Sequence, residues 1–270
     1  MDSTKIKAIN GIVDSAICAF AQWLFEKHEE QSKDPNGVIN MKKKNCFMAE
    51  LWEEFMFYSA LVRSFDSSFW IVLESVWNNI AKLSYDVRND IKSFILPEQT
   101  TRISSIMDSY LKHESIPCIE HYSDFNCIYP PNVISFERVH VTDNYFYDSS
   151  KNEHYLIELK AWGNLDNKKA RAEKQALLEE YFLLKNQIRN DKTAKVKIFF
   201  GTAYNMFWEW NIWKQWSVEQ FFAKDELLIG KDYWNFACND NEWFNIIFEQ
   251  YKKSAEHIRK ALKEIKNLYF

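Results

Sequence analysis

Between residues 133 and 160 the chain changes its period, and that change limits the folds open to it. On either side, apolar residues recur three and four positions apart, as on one face of a helix. Within it, "VISFERVHV" and "DNYFYDSSKNEHYLIELK" are rich in aromatic and branched residues, and the polar group "SSKN" marks a turn. A turn centred on Ser150 and Lys151 pairs Asp148 with Glu153. Stepping outward along an antiparallel ladder then sets Asp143 opposite Glu158. Alternation along a strand puts Lys160 on the same side as Glu158. Two like charges directly opposite one another destabilise a sheet by about 0.2–1 kcal/mol. A divalent cation held by both carboxylates would remove that penalty. The solvated face of a two-sided strand has the same residue types, and a one-residue slip of the turn would separate the acids.

Helical spacing predicts elements from Lys5 to about Lys33, over 46–62, and from Ser68 to about Arg88 with Asp66, Ser67 or Ser68 as N-cap. Shorter and longer helices follow at 101–112, 166–189 and 245–266, with a further strand, "KVKIFFG", at 195–201. Helix, three strands, helix and strand in that order predict an α+β core with helical additions at both ends. No repeat, low-complexity linker or composition break divides the chain, so one domain over 1–270 is expected.

The 270 residues are 47% hydrophobic and 27% charged, a globular composition. No apolar run approaching about 20 residues is read, nor a signal peptide in "MDSTKIKAIN". Five cysteines without a Cys-x-x-Cys pair fit a reducing, cytoplasmic setting, with no membrane partner. His113, Cys118, His121 and Cys127 match no usual zinc spacing. A phosphate-binding glycine loop and a Gly-x-Ser-x-Gly elbow are both missing, which argues against P-loop and serine-hydrolase chemistry. Net charge is −4, so no global basic field points to nucleic acid. Locally, "NKKARAEK" (167–174) is basic, and Lys252 to Lys266 carries six Lys and Arg residues; a solvated helix face is the ordinary meaning of such runs. The aromatic segment "YNMFWEWNIWKQW" (204–216) is a candidate for base recognition or a buried anchor.

An acid at the start of one strand, with Glu-x-Lys closing its partner, resembles the PD-(D/E)xK nuclease core, a mixed sheet flanked by helices. Four segments narrow the likeness: "RSFDSSFWIVLE" (63–74), "YLIELKAWGNLDNKKARAEKQALLEEYFLLKN" (155–186), "FFGTAYNMF" (199–207) and "ELLIGKDYWNF" (226–236). Together they resemble the TdeIII-type family of type II restriction endonucleases. The resemblance implies an N-terminal helical extension (1–62), a nuclease core (63–203) and a C-terminal helical and recognition region (204–270). It implies Mg²⁺-dependent hydrolysis of double-stranded DNA at a short palindrome of the GGNCC type. A homodimer and a cognate methyltransferase that forms no stable complex are implied with it. Asp143 takes the place of the first catalytic acid, although Thr142 stands where the motif has proline; Glu158 is the second acid and Lys160 the lysine. The backbone carbonyl of Leu159 joins the two acids around the metal, and Glu74 corresponds to a helix-borne acid. Asp148 is the rival first acid, placed at the turn by the hairpin. Lys168, Lys169, Arg171 and Lys174 are expected on backbone phosphates. Alternatives are another nuclease of the superfamily, a DNA-binding protein with a decayed site, and a helical interaction protein whose acids are mere surface.

Eleven Trp stand against five Gly, where Gly averages about 7% of residues. The resemblance implies glycine where this chain has Trp70, Trp77, Trp162, Trp208, Trp210 and, further, Trp216 and Trp243. Some of these positions are therefore expected to be glycine in the organism, its code reading as glycine a codon translated here as tryptophan.

Overall fold

From its turn out to Tyr145 and Leu156 the hairpin forms with the expected register. In a computed structural model that describes residues 2–125, 138–160 and 165–270, strands β2 (Arg138–Asp148) and β3 (Glu153–Lys160) pair antiparallel, with Asp148 opposite Glu153 and Tyr145 opposite Leu156. Of the β2 side chains, those of Thr142 and 144–148 are described. Residues 133–137 of the expected strand lie outside the described residues.

Three further strands complete a mixed sheet of order β1-β2-β3-β4-β5: β1 (Asp86–Ser93), β4 (Lys195–Thr202) and β5 (Leu227–Ile229). β1 joins β2 antiparallel, whereas β3, β4 and β5 run parallel. The helices in chain order are α1 (Ser3–Lys33), α2 (Val38–Lys42), α3 (Cys46–Ala49), α4 (Glu53–Ala81), α5 (Pro97–Leu111), α6 (Glu120–Ser123), α7 (Asn167–Gln187), α8 (Trp216–Glu219), α9 (Lys231–Ala237) and α10 (Phe244–Tyr269). This is the α+β, restriction-endonuclease-like architecture expected, a mixed sheet flanked by helices.

The chain divides into two compact units, residues 1–80 with 242–270 and residues 81–241. In the first, α1 turns Ile9, Val13, Ile17, Phe20 and Leu24 inward, and α10 contributes Ile247, Ile258, Ala261 and Ile265 to the buried set. By length and composition α1 could cross a membrane, which corrects the reading that no apolar run is long enough. In the fold, Asp14 of that helix accepts a 2.6 Å hydrogen bond from Ser254 of α10, as a bundle helix would. The helices expected at 46–62 and from Ser68 to about Arg88 run together as α4 between Glu53 and Ala81, with 46–49 split off as α3 and Asp86–Arg88 taken into β1, and the expected boundary at 62/63 falls inside α4. Ser67 and Ser68 do not cap. Their hydroxyls donate back to the carbonyls of Arg63 and Ser64, so the helix runs through.

In the second unit α7 forms the crossover between parallel β3 and β4. Its Ala170, Leu177, Leu178 and Tyr181 pack on a sheet face made by Ile91, Tyr145, Leu156, Ile198 and Phe200. Aromatic rings fill the opposite face, where Tyr85 stacks on Phe146 and Phe236, and Phe236 meets Tyr155 edge-on.

His154 is buried at 5% exposure, its Nδ1 2.8 Å from the Tyr145 hydroxyl. Burial first, then the Arg88 charge, lowers its pKa from 6.5 to about 4. The imidazole is therefore neutral when folded, whereas the unfolded chain takes up a proton below pH 6.5, so stability falls as pH drops from 6.5 toward 4. Urea unfolding at pH 6.5 and 5 should show a loss of about 2 kcal/mol in the wild type and a much flatter response in His154→Phe. Equal slopes in both proteins would contradict the assignment.

Candidate active site

Glu158 and Lys160 lie at the carboxyl end of β3, paired with Phe200 and Thr202 of parallel β4. Alternation puts both on the face covered by α7, since Leu156 two residues earlier packs against that helix. Open α/β sheets bind ligands outside such strand ends. The side chain of Glu158 is 11% exposed and that of Lys160 30%. Lys160 Nζ lies 2.5 Å from Glu158 Oε1 and 3.0 Å from Oε1 of Glu173, on α7. Burial alone would lower the ammonium pKa, but the hydrogen bonds and charges of Glu158 and then Glu173 more than offset it, holding Lys160 above its ordinary value.

Asp143 is in β2, and its side chain lies outside the described residues. The paired register ends at Tyr145 opposite Leu156. Asn144 Nδ2 still lies 3.5 Å from the carbonyl of Ile157, so the strands remain neighbours one step further toward Asp143 and Glu158. On the other edge the ladder jumps: β1 passes from Arg88 to Asp90 while β2 passes from Tyr145 to Val141. Residues 142–144 therefore bulge opposite Asn89. Bulges of this kind re-aim side chains and concentrate near active sites. Thr142 Oγ1 and Asn144 Oδ1, flanking Asp143, are buried without a hydrogen-bond partner.

The rival acid has a structural task. Asp148 Oδ1 accepts from the backbone N–H of Ser150 and Lys151 and from the Ser150 hydroxyl, closing the turn, and Oδ2 lies 3.1 Å from Lys151 Nζ. Although burial raises its pKa, the bonds from Ser150 and Lys151 outweigh that and lower it. Glu74 is half-buried on α4 in the first unit, whereas Glu158 and Lys160 belong to the second.

The basic group at the start of α7 divides. Asp166 caps the helix by accepting from the Lys169 N–H. Lys168 and Lys169 are exposed, and Arg171 reaches Asp108 at 3.0 Å. Lys174 corrects the expectation. It is 1% exposed and 2.5 Å from Glu226, itself 1% exposed, with its ammonium over the rings of Tyr122 and Phe222. Burial lowers its pKa, with Glu226 opposing that, and a phosphate cannot reach it.

Sequence alone does not single out Glu173, because in "RAEK" it reads as one acid within a basic face. Only the crossover of α7 over β3 brings it to Lys160. Around the set-aside zinc candidates, His121 Nδ1 lies 2.9 Å from the Tyr110 hydroxyl and Cys118 bonds to Glu120. Among the described residues no group of three or more His, Cys, Asp or Glu is placed to hold a metal. What the site offers a cation is oxygen: the Glu158 carboxylate, already paired with the Lys160 ammonium, with Asp143 the first acid of the expected pair. Carboxylate oxygens suit a hard divalent ion.

A family model described as "Type II restriction endonuclease, HinfI" matches residues 6–255. No curated protein and no solved structure matches the chain.

Proposed function

Since the chain belongs to the HinfI family of type II restriction endonucleases, we propose that it hydrolyses phosphodiester bonds in double-stranded DNA at the end of β3, with Asp143, Glu158 and Lys160 as its reacting groups. The observation that carries this reading is the contact of Lys160 Nζ with Glu158 Oε1 at the carboxyl end of a parallel strand. The carboxylates of Asp143 and Glu158 and the carbonyl of Leu159 would hold Mg²⁺. When bound, Mg²⁺ supplies Lewis acidity at the phosphate and a lowered pKa for its water. Lys160 donates to the attacking water or a phosphate oxygen and offsets the charge that builds on phosphorus. Attack in line with the leaving 3′ oxygen yields a 5′-phosphate.

Lys168, Lys169 and Arg171 are the backbone-phosphate contacts. Their visible pairings are exposed surface contacts, of a kind worth little and readily exchanged for phosphate. Two-fold symmetry of a palindromic target calls for a homodimer, and protection of host DNA calls for a cognate methyltransferase. The finer likeness to TdeIII-type enzymes rests on "ELKA" followed by "LDNKKAR", and with it a target of the GGNCC type. Glu74 stays in this reading as a helix-borne acid. Incubating the purified protein with plasmid DNA and Mg²⁺ tests the reading. Discrete fragments with 5′-phosphate ends are expected. A smear would mean a nonspecific nuclease, and intact plasmid with a gel shift a binding protein with a decayed site.

The tryptophans expected to be glycine differ in their surroundings. Trp208, Trp210 and Trp216 are 78%, 75% and 66% exposed, whereas Trp77 and Trp243 are buried. Trp162 lies outside the described residues. Trp208 has φ 76°, a left-handed conformation that suits glycine and strains an indole-bearing residue. Trp208→Gly should raise stability by about 1 kcal/mol in urea unfolding, because the exposed ring gives up little packing. Mass spectrometry of the protein from its own organism should show glycine at 208; intact Trp there would end the recoding idea.

A further inference from the structure

Lysine carries its charge on a flexible four-carbon stem and must be held if it is to act at one atom. Lys160 is held from two sides. Glu158 approaches from its own strand and Glu173 from the helix above, at 2.5 and 3.0 Å. The two anchors differ in their other duty: Glu158 is a proposed cation ligand, whose oxygens are then drawn away from the ammonium, while Glu173 is not.

Resting on the endonuclease reading, we propose that Glu173 is a positioning residue for Lys160, keeping the ammonium aimed across the end of β3 while Glu158 serves the cation. The surrounding pairs support this division. Arg171 is engaged with Asp108 and Lys174 with Glu226. The helix is fixed on either side of Glu173 by Ala170 and Leu177, at 0% and 1% exposure. Glu173 itself keeps 23% side-chain exposure, so its charge stays hydrated. An ammonium has three protons, and two carboxylate bonds leave one for a substrate oxygen. Removing Glu173 would leave the lysine tethered only to a carboxylate that the cation competes for.

The test uses the full chain as wild type, Glu173→Gln, Glu173→Asp and Glu158→Ala, with plasmid cleavage in Mg²⁺ and DNA affinity in Ca²⁺. Glu173→Gln should lower kcat about 10- to 100-fold, the scale of a misplaced reacting group. KM for DNA, the Mg²⁺ concentration for half-maximal rate and the thermal midpoint should stay as in wild type, and Glu173→Asp should recover part of the rate. A Glu173→Gln rate within twofold of wild type would overturn the proposal. So would a rate restored by raising Mg²⁺, which would make Glu173 a cation ligand. Cleavage by wild type but not by Glu158→Ala confines either failure to Glu173; a wild type that cuts nothing removes the underlying reading as well.

Discussion

Glu158→Ala and Lys160→Ala should each abolish DNA cleavage, with a fall of at least about 10³-fold in rate, the scale for losing one preorganised electrostatic group. Both proteins should remain folded. Lys160 is 30% exposed and its pairings are partly hydrated, so deleting either member forfeits little stability. Glu158→Ala leaves Lys160 with Glu173 as a partner, and Lys160→Ala leaves the partly exposed Glu173 hydrated. Far-ultraviolet circular dichroism and the thermal midpoint check the fold, and plasmid cleavage checks the chemistry. Retained cutting by either variant would refute its catalytic assignment.

Lys174→Met should lose about 3–5 kcal/mol of stability, the usual consequence of stranding one charge of a buried pair. Glu226 would keep the Tyr122 hydroxyl at 2.7 Å and the Ala223 N–H at 2.7 Å as donors, but no cation would balance it in the interior. The double variant Lys174→Met/Glu226→Gln should recover most of that loss, because a neutral amide can use the same neighbours without an unbalanced charge. Urea unfolding of the single and double variants measures the coupling. A single variant within about 1 kcal/mol of wild type would show that the interior tolerates the lone carboxylate, contrary to this account.

Lys174 also shows what could be read from the chain and what could not. It falls on the same helical stripe as Ala170, Leu177, Leu178 and Tyr181, all buried, so its spacing already placed it inward. Its partner Glu226 is 52 residues away in sequence, and nothing local announces it. The hairpin was legible because its turn chemistry and alternation agree, as were β4, α7 and α10, whose periods are long and unbroken. β1 was missed. "DVRNDIKS" is an edge strand with Ile91 and Ser93 as its buried positions, and charged edges are how sheets discourage unwanted pairing. β5 is three residues long, too short to show a period. The single helix α4 read as two because serines and an aspartate looked like caps, while the fold spends the hydroxyls on carbonyls one turn back. For the site, the spacing of Glu158 and Lys160 follows directly from strand alternation. Asp143 depends on a register carried past Tyr145 into a bulge that no pairwise count from the turn includes. Glu173 needed the crossover itself.

The central claim is that the carboxylates of Asp143 and Glu158 serve one cation. Titrating Mn²⁺ by calorimetry into the wild type, Asp143→Ala and Glu158→Ala measures it without any DNA. The account predicts a site in wild type that either substitution removes or weakens severely. Wild-type affinity persisting in either alanine variant would contradict it.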